Sequence, residues 1–153
     1  MRQQKQAFRH NPSEGVYGDC FRTAVACVLE LPRDEVPHVF HDGIDGPAAD
    51  KRMQEWLRRR GLTQFTVCWD GKLSLTEVLH SVNNCNFGYR VEYILTGTSK
   101  NGTNHCVVCK GDAIIWDPAL DDSGIVGPCD DGNWWVTALA VCRPGNAEKA
   151  VAA

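Results

Sequence analysis

Apolar positions fall into helix-spaced sets in the first half of the chain and into short strand-like runs in the second. From Cys20 to Leu31 the chain is apolar nearly all round, with only Arg22, Thr23 and Glu30 strongly polar, and such a helix belongs inside a protein rather than on its face. Gly18 and Asp19 precede it as a turn and an N-cap, and Pro32 and Pro37 stop it around a short turn. A second helix is expected from Pro47 to Arg60, where Ala49, Met53, Trp56 and Leu57 share a face and Gly61 ends the run. Ser74 and Glu77 form a capping box for a third helix, whose apolar positions are Leu75, Val78, Leu79 and Val82.

Leu62 to Trp69 is expected to be a strand. Tyr89 to Thr96, Asn104 to Lys110, Ala113 to Asp117 and Trp134 to Cys142 are β-branched or aromatic runs divided by Gly, Asn and Asp turns, the pattern of an antiparallel meander. Helices first and strands after point to an α+β fold, an N-terminal buried helix packed on a C-terminal antiparallel sheet. Residues 1 to 15 are polar and basic and read as an extended lead-in. Residues 1–143 form one domain on this reading, with 144–153 a flexible tail.

Composition changes this picture little. A chain of 153 residues suits one core, since a domain of this size buries roughly 70% of its unfolded surface. The formal charge of −3 gives no electrostatic reason for a nucleic-acid partner, and Arg58, Arg59 and Arg60 fall where cations complement a helix C-terminus. No apolar stretch approaches the roughly 18 residues that span a bilayer. The eight cysteines invite a disulfide framework. The opening Met-Arg-Gln-Gln-Lys-Gln lacks the apolar core of a signal peptide, however, and several cysteines lie in apolar runs, so free thiols and a cytoplasmic location are expected.

Candidate chemistry begins at Cys20. A thiol in the first turn of a helix meets unpaired backbone N–H groups and the positive end of the dipole, which favour the nucleophilic thiolate. A base is offered by His105, at the start of an expected strand. Gly111 and Asp112 turn that strand into a hairpin, returning Asp117 to the end where His105 lies. A carboxylate there would orient the imidazole and leave its other nitrogen for the thiol proton.

Gly18-Asp19-Cys20 opening an apolar helix, His105 followed by Val107-Val108, and Ile115-Trp116-Asp117-Pro118 together resemble the papain-like cysteine peptidases, and within them the bacteriocin-leader (double-glycine) peptidases. The likeness spans residues 14 to 118 in the family's order Cys, His, Asp. It implies a papain-like fold, a peptide or protein substrate, no cofactor, Cys20 as nucleophile, His105 as general base and then acid, and Asp117 as orienting carboxylate. That family places a Gln oxyanion-hole donor six residues before the nucleophile, where this chain has Glu14. An ionised carboxylate only accepts hydrogen bonds, so Asn11 or a protonated Glu14 would have to supply the donor beside the Cys20 N–H.

The expected activity is cleavage of a peptide or isopeptide bond through an acyl-enzyme. The alternatives are an amidase or acyltransferase on a small amide, and a binding or inhibitory module that kept the fold and lost the activity. Cys106 and Cys109 have zinc or redox spacing, and a zinc site with Cys129 and His38 or His41 is a further alternative. A strand would point Cys106 and Cys109 to opposite faces, which argues against it. Cys27, Cys85 and Cys142 read as core or semi-buried residues, and Trp134 and Trp135 as core plus sheet edge, with one ring free to wall a cleft.

Overall fold

The computed structural model describes residues 1–85 and 89–142; the expected tail at 144–153 lies outside the described residues. Three helices, α1 (Cys20–Val28), α2 (Gly46–Arg58) and α3 (Leu75–Cys85), surround five strands, β1 (Leu62–Asp70), β2 (Glu92–Thr98), β3 (Asn104–Lys110), β4 (Ala113–Trp116) and β5 (Asn133–Val141). The fold is α+β, with α1 packed against an antiparallel sheet. No described helix is long and apolar enough to cross a membrane.

The strand order is β1-β5-β2-β3-β4, which corrects the simple meander. Only β2, β3 and β4 run as neighbours in sequence order. The last strand inserts between the first two, pairing with β1 over the whole register from Leu62 opposite Val141 to Asp70 opposite Asn133. This pairing joins segments far apart in the chain, and no local turn signals it. Gly97 in β2 permits another long-range approach: a Cβ there would lie 2.5 Å from the Gly127 carbonyl. Thr98 N–H donates to that carbonyl at 2.8 Å, so the segment after β4 is laid across the end of β2.

Each face of the sheet has its own core. Phe21, Ala24, Val25 and Cys27 of α1 and Ala49, Met53 and Leu57 of α2 pack with Ile94, Cys106 and Val108 on one face. Val78, Leu79 and Val82 of α3 pack with Tyr93, Leu95, Val107, Cys109 and Trp134 on the other. Strand alternation therefore sends Cys106 and Cys109 to opposite sides of the sheet, as their spacing in β3 requires.

Helix α1 ends at Val28, short of the expected Leu31, in a Schellman motif. Leu31 N–H donates to Ala26 O at 3.0 Å, Glu30 N–H to Cys27 O at 3.3 Å, and Glu30 takes the left-handed conformation with φ 59°. The Glu30 carboxylate meets the N-terminal ammonium of Met1. In α2, Asp45 caps the first turn by accepting from Ala48 N–H at 2.9 Å. The capping box of α3 is formed: Ser74 N–H donates to Glu77 Oε2 at 2.7 Å, and Glu77 N–H to Ser74 Oγ at 3.3 Å.

The polar lead-in is a strap fastened along its length. Arg2 N–H donates to Cys27 O, the Gln4 side chain bridges Leu31 O and Arg33 N–H, and Gln6 N–H donates to Pro118 O at 2.9 Å. Lys5 Nζ donates to Asp117 O and Ala119 O, and Trp116 Nε1 donates to Gln4 O at 2.8 Å. Asp19, fully buried, receives Ala7 N–H and Phe8 N–H on Oδ1, both at 2.9 Å. Its Oδ2 faces Arg22 and Arg33, each at 3.7 Å. The expected N-cap therefore occupies the N-cap position, but its carboxylate makes no capping bond to α1 and holds the strap instead.

Asp19→Ala would leave the Ala7 and Phe8 N–H groups without their acceptor and remove the carboxylate that faces Arg22 and Arg33, at a cost of about 3 kcal/mol. Urea unfolding should show that loss, and trypsin should cut the native variant at Lys5 or Arg9 faster than the parent.

Candidate active site

Cys20, the first residue of α1, is half-buried and lies at the floor of a cleft of about 780 Å³ between the strap, α1, the β2–β3 end of the sheet and the loops after β4. Because Asp19 makes no capping bond, the N–H groups of the first helical turn keep no side-chain acceptor. His105 and Cys106 open into the same cleft from β3, with Thr96 and Trp135 from the neighbouring strands.

His105, 6% exposed, bonds through Nε2 to Asp117 Oδ1 at 2.7 Å, so its Nδ1 is the nitrogen left for another partner. The hairpin brings the two together: Lys110 pairs with Ala113 across the Gly111-Asp112 turn, and a register shift between Val108 and Cys109 bulges β4 just before its end. Bulges re-aim the side chains that follow them. Asp117 is held independently of the imidazole, since its Oδ1 also accepts from Ala119 N–H and its Oδ2 from Gly124 N–H, both at 2.8 Å.

Burial opposes charge on both members of this pair, and the bond between them prevails. Asp117 is held down to about 2 by His105 and the two backbone donors, against its burial. The His105 imidazole is pushed up to about 9, against burial, by its bond to Asp117 and by the neighbouring Cys20. Cys20 moves the opposite way. A hydrogen bond from the Cys106 thiol, opposed by burial and reinforced by the bond to His105 and its charge, holds Cys20 well below the ordinary thiol range. Its bond to Cys20 and its own burial keep Cys106 a thiol, well above that range. Thr96 Oγ1 meets Cys106 Sγ at 3.3 Å and completes a short polar relay into an otherwise apolar cluster. This arrangement can hold a thiolate beside an imidazolium at neutral pH.

Asn11 and Glu14 do not reach this place. Asn11 precedes the short 3₁₀ turn Pro12–Glu14, its Oδ1 accepts from Ser13 Oγ at 2.7 Å, and Glu14 is exposed. Neither lines the cleft. Gln6 of the strap does: its Nε2 donates to Phe8 O at 3.0 Å, which leaves the second N–H of the amide without a bond, and its Oε1 is buried without a partner. One of several glutamines in the lead-in, it carries no local signal for this position, and Cys106 was read only through its spacing to Cys109.

All eight cysteines are free thiols. Cys27 is buried and Cys142 half-buried, whereas Cys85, expected to be semi-buried, is exposed at the last turn of α3. Among the described residues no three His, Cys, Asp or Glu side chains are arranged to hold a metal ion. Trp134 is core, its Nε1 donating to Leu73 O at 3.0 Å, and Trp135 walls the cleft with its Nε1 on Asp131 Oδ2 at 2.8 Å.

The chain matches no protein-family model, and neither a curated protein nor a solved structure matches it.

The direction of each shift sets a pH dependence. His105, raised from 6.5, contributes stability that is fully present below 6.5 and is lost as the pH rises through about 9. Asp117, lowered from 3.8, contributes stability present above 3.8 and lost as the pH falls through about 2. In the NMR titration of the imidazole ring His105 should show a midpoint near 9, and Asp117→Asn should move that midpoint down. A midpoint unchanged by Asp117→Asn would mean that the carboxylate does not set the proton affinity of the ring.

Proposed function

We propose that the protein is a thiol hydrolase of papain-like arrangement, cleaving a peptide or isopeptide bond in a peptide or protein substrate through an acyl-enzyme on Cys20. The observation that carries this reading is the 2.7 Å bond between His105 and Asp117 beside a thiol at an uncapped helix N-terminus. The thiolate of Cys20 attacks the carbonyl carbon. Charge developing on the carbonyl oxygen is received by the Cys20 backbone N–H and the spare N–H of the Gln6 amide, the donor that Glu14 cannot be. The His105 imidazolium protonates the leaving amine and then, as the free base, takes a proton from the water that hydrolyses the thioester. Asp117 keeps Nε2 protonated and Nδ1 aimed at the reaction.

The cleft supports a segment of chain rather than a single small amide. Its volume of about 780 Å³ lies in the upper part of the usual ligand-pocket range. Tyr17, Phe21, Phe40 and Ile44 give it an apolar wall, and Asp121, Asp130 and Asp131 an acidic one.

A small activated ester tests the acyl-enzyme without knowledge of the natural substrate. Mixed with p-nitrophenyl acetate, the full chain should release one equivalent of p-nitrophenol in a burst and carry the acetyl group on the peptide that contains Cys20. Cys20→Ala should abolish the burst, and Gln6→Ala should slow it by about 10²–10³-fold. An undiminished burst in Cys20→Ala, or an acetyl group on another cysteine, would overturn the assignment.

A further inference from the structure

A second thiol shares the cleft with Cys20. Cys20 and Cys106 line the same cleft and belong to the same apolar cluster where α1 packs on β3. Hydrolysis uses only one of them. Cys106 lies on the face of β3 turned toward α1, so it meets Cys20 by the packing of these two elements and not through any local turn. We propose that Cys20 and Cys106 form a peroxide-reactive pair, in which Cys20 is the thiol oxidised first and Cys106 the thiol that resolves it into a reversible disulfide.

The oxidant is a small hydroperoxide, and the cleft admits it to the half-buried sulfur of Cys20. In the first step the Cys20 thiolate attacks the distal peroxide oxygen. An S–O bond forms, the O–O bond breaks, and the leaving hydroxide or alkoxide takes up a proton, so that sulfur is oxidised to a sulfenic acid and the peroxide reduced to water or alcohol. In the second step Cys106 attacks the Cys20 sulfur. An S–S bond forms, the S–O bond breaks, and the hydroxyl leaves as water with the Cys106 proton.

The two positions suit the two roles. Thiolate character governs the first step, and Cys20 stands at the helix N-terminus beside His105. The second step needs an unoxidised neighbouring cysteine close enough to reach, and Cys106 lies in the same cleft and cluster, shielded by burial from direct oxidation. Cys129 opens into the same cleft and is the competing partner. Because only paired thiols and a reactive Cys20 are required, the proposal holds whether or not Cys20 turns over an amide.

Peptide mapping decides it. The full chain, treated with one equivalent of hydrogen peroxide, blocked with an alkylating reagent and digested without reductant, should yield the peptide of Cys20 linked to the peptide of Cys106. Dithiothreitol should return both to free thiols. In Cys106→Ser the cross-link should vanish and dimedone should tag Cys20, with at least tenfold more tag than in the parent. Cys106→Ala, which removes the polar atom as well, serves as a second variant should the serine disturb the core. A cross-link from Cys20 to Cys129, or persistent dimedone tagging of Cys20 in the parent with no cross-link to Cys106, would overturn the proposal. So would a Cys20 that remains a free thiol under peroxide while other cysteines oxidise. None of these outcomes depends on the ester burst, so failure here and failure of the hydrolase reading are distinguishable.

Discussion

The buried carboxylate of Asp19 holds three parts of the chain in one place. Its two oxygens face the backbone of the strap on one side and the guanidinium groups of Arg22 and Arg33 on the other. Arg22 in turn donates to the Arg33 and Val36 carbonyls, fastening the turn after α1. A charge with no exposure is tolerated only with such partners, because the cost of its desolvation must be offset locally. The same commitment removes Asp19 from the capping role that its position suggests. The start of α1 is thereby left open toward the cleft.

The cleft at that open end holds the groups that lower the proton affinity of Cys20. A thiolate half-buried against an apolar cluster is costly by itself. Here Cys106 and His105 lower the proton affinity of Cys20, while Asp117, fixed by two backbone donors, raises that of His105. Four elements contribute: α1, β3, the bulged end of β4 and the loop beyond it. The sheet sets the spacing of the last three, and the packing of α1 on β3 sets the first against them.

Features encoded by local chemistry were legible in the sequence. The capping box at Ser74 and Glu77, the Gly111-Asp112 turn and the apolar run after Cys20 each carry their cause within a few residues, and the structure has all three. From the same local signals, Cys20 was read at a helix start and His105 and Asp117 at one end of a hairpin. Long-range relations were not legible. The insertion of β5 between β1 and β2 depends on pairing across the chain, and the end of α1 at Val28 depends on a left-handed Glu30 where a glycine would be the usual signal. The position of Gln6 depends on its own N–H bond to Pro118 O and on the Ala7 and Phe8 N–H bonds to the Asp19 carboxylate, which sequence spacing does not report.

Glu14 stands where a Gln was expected, and the strap offers a physical reason why that position need not carry the donor. Counting six residues back from Cys20 along the chain leads out of the cleft, because residues 11–16 close on themselves through the bridge between Asn11 and Val16. The strap re-enters the cleft eight residues earlier than Glu14, at Gln6, held by its own N–H on Pro118 O and by Asp19 just beyond it. The proposed oxyanion donor and the proposed nucleophile are thus fixed through one side chain, with Asp19 adjacent to Cys20 in the chain and bonded to the residues that follow Gln6. On this view the Asp19-Cys20 pair is a structural coupling. The aspartate does no chemistry itself, but it sets where the strap lies over the end of the helix that carries the thiol.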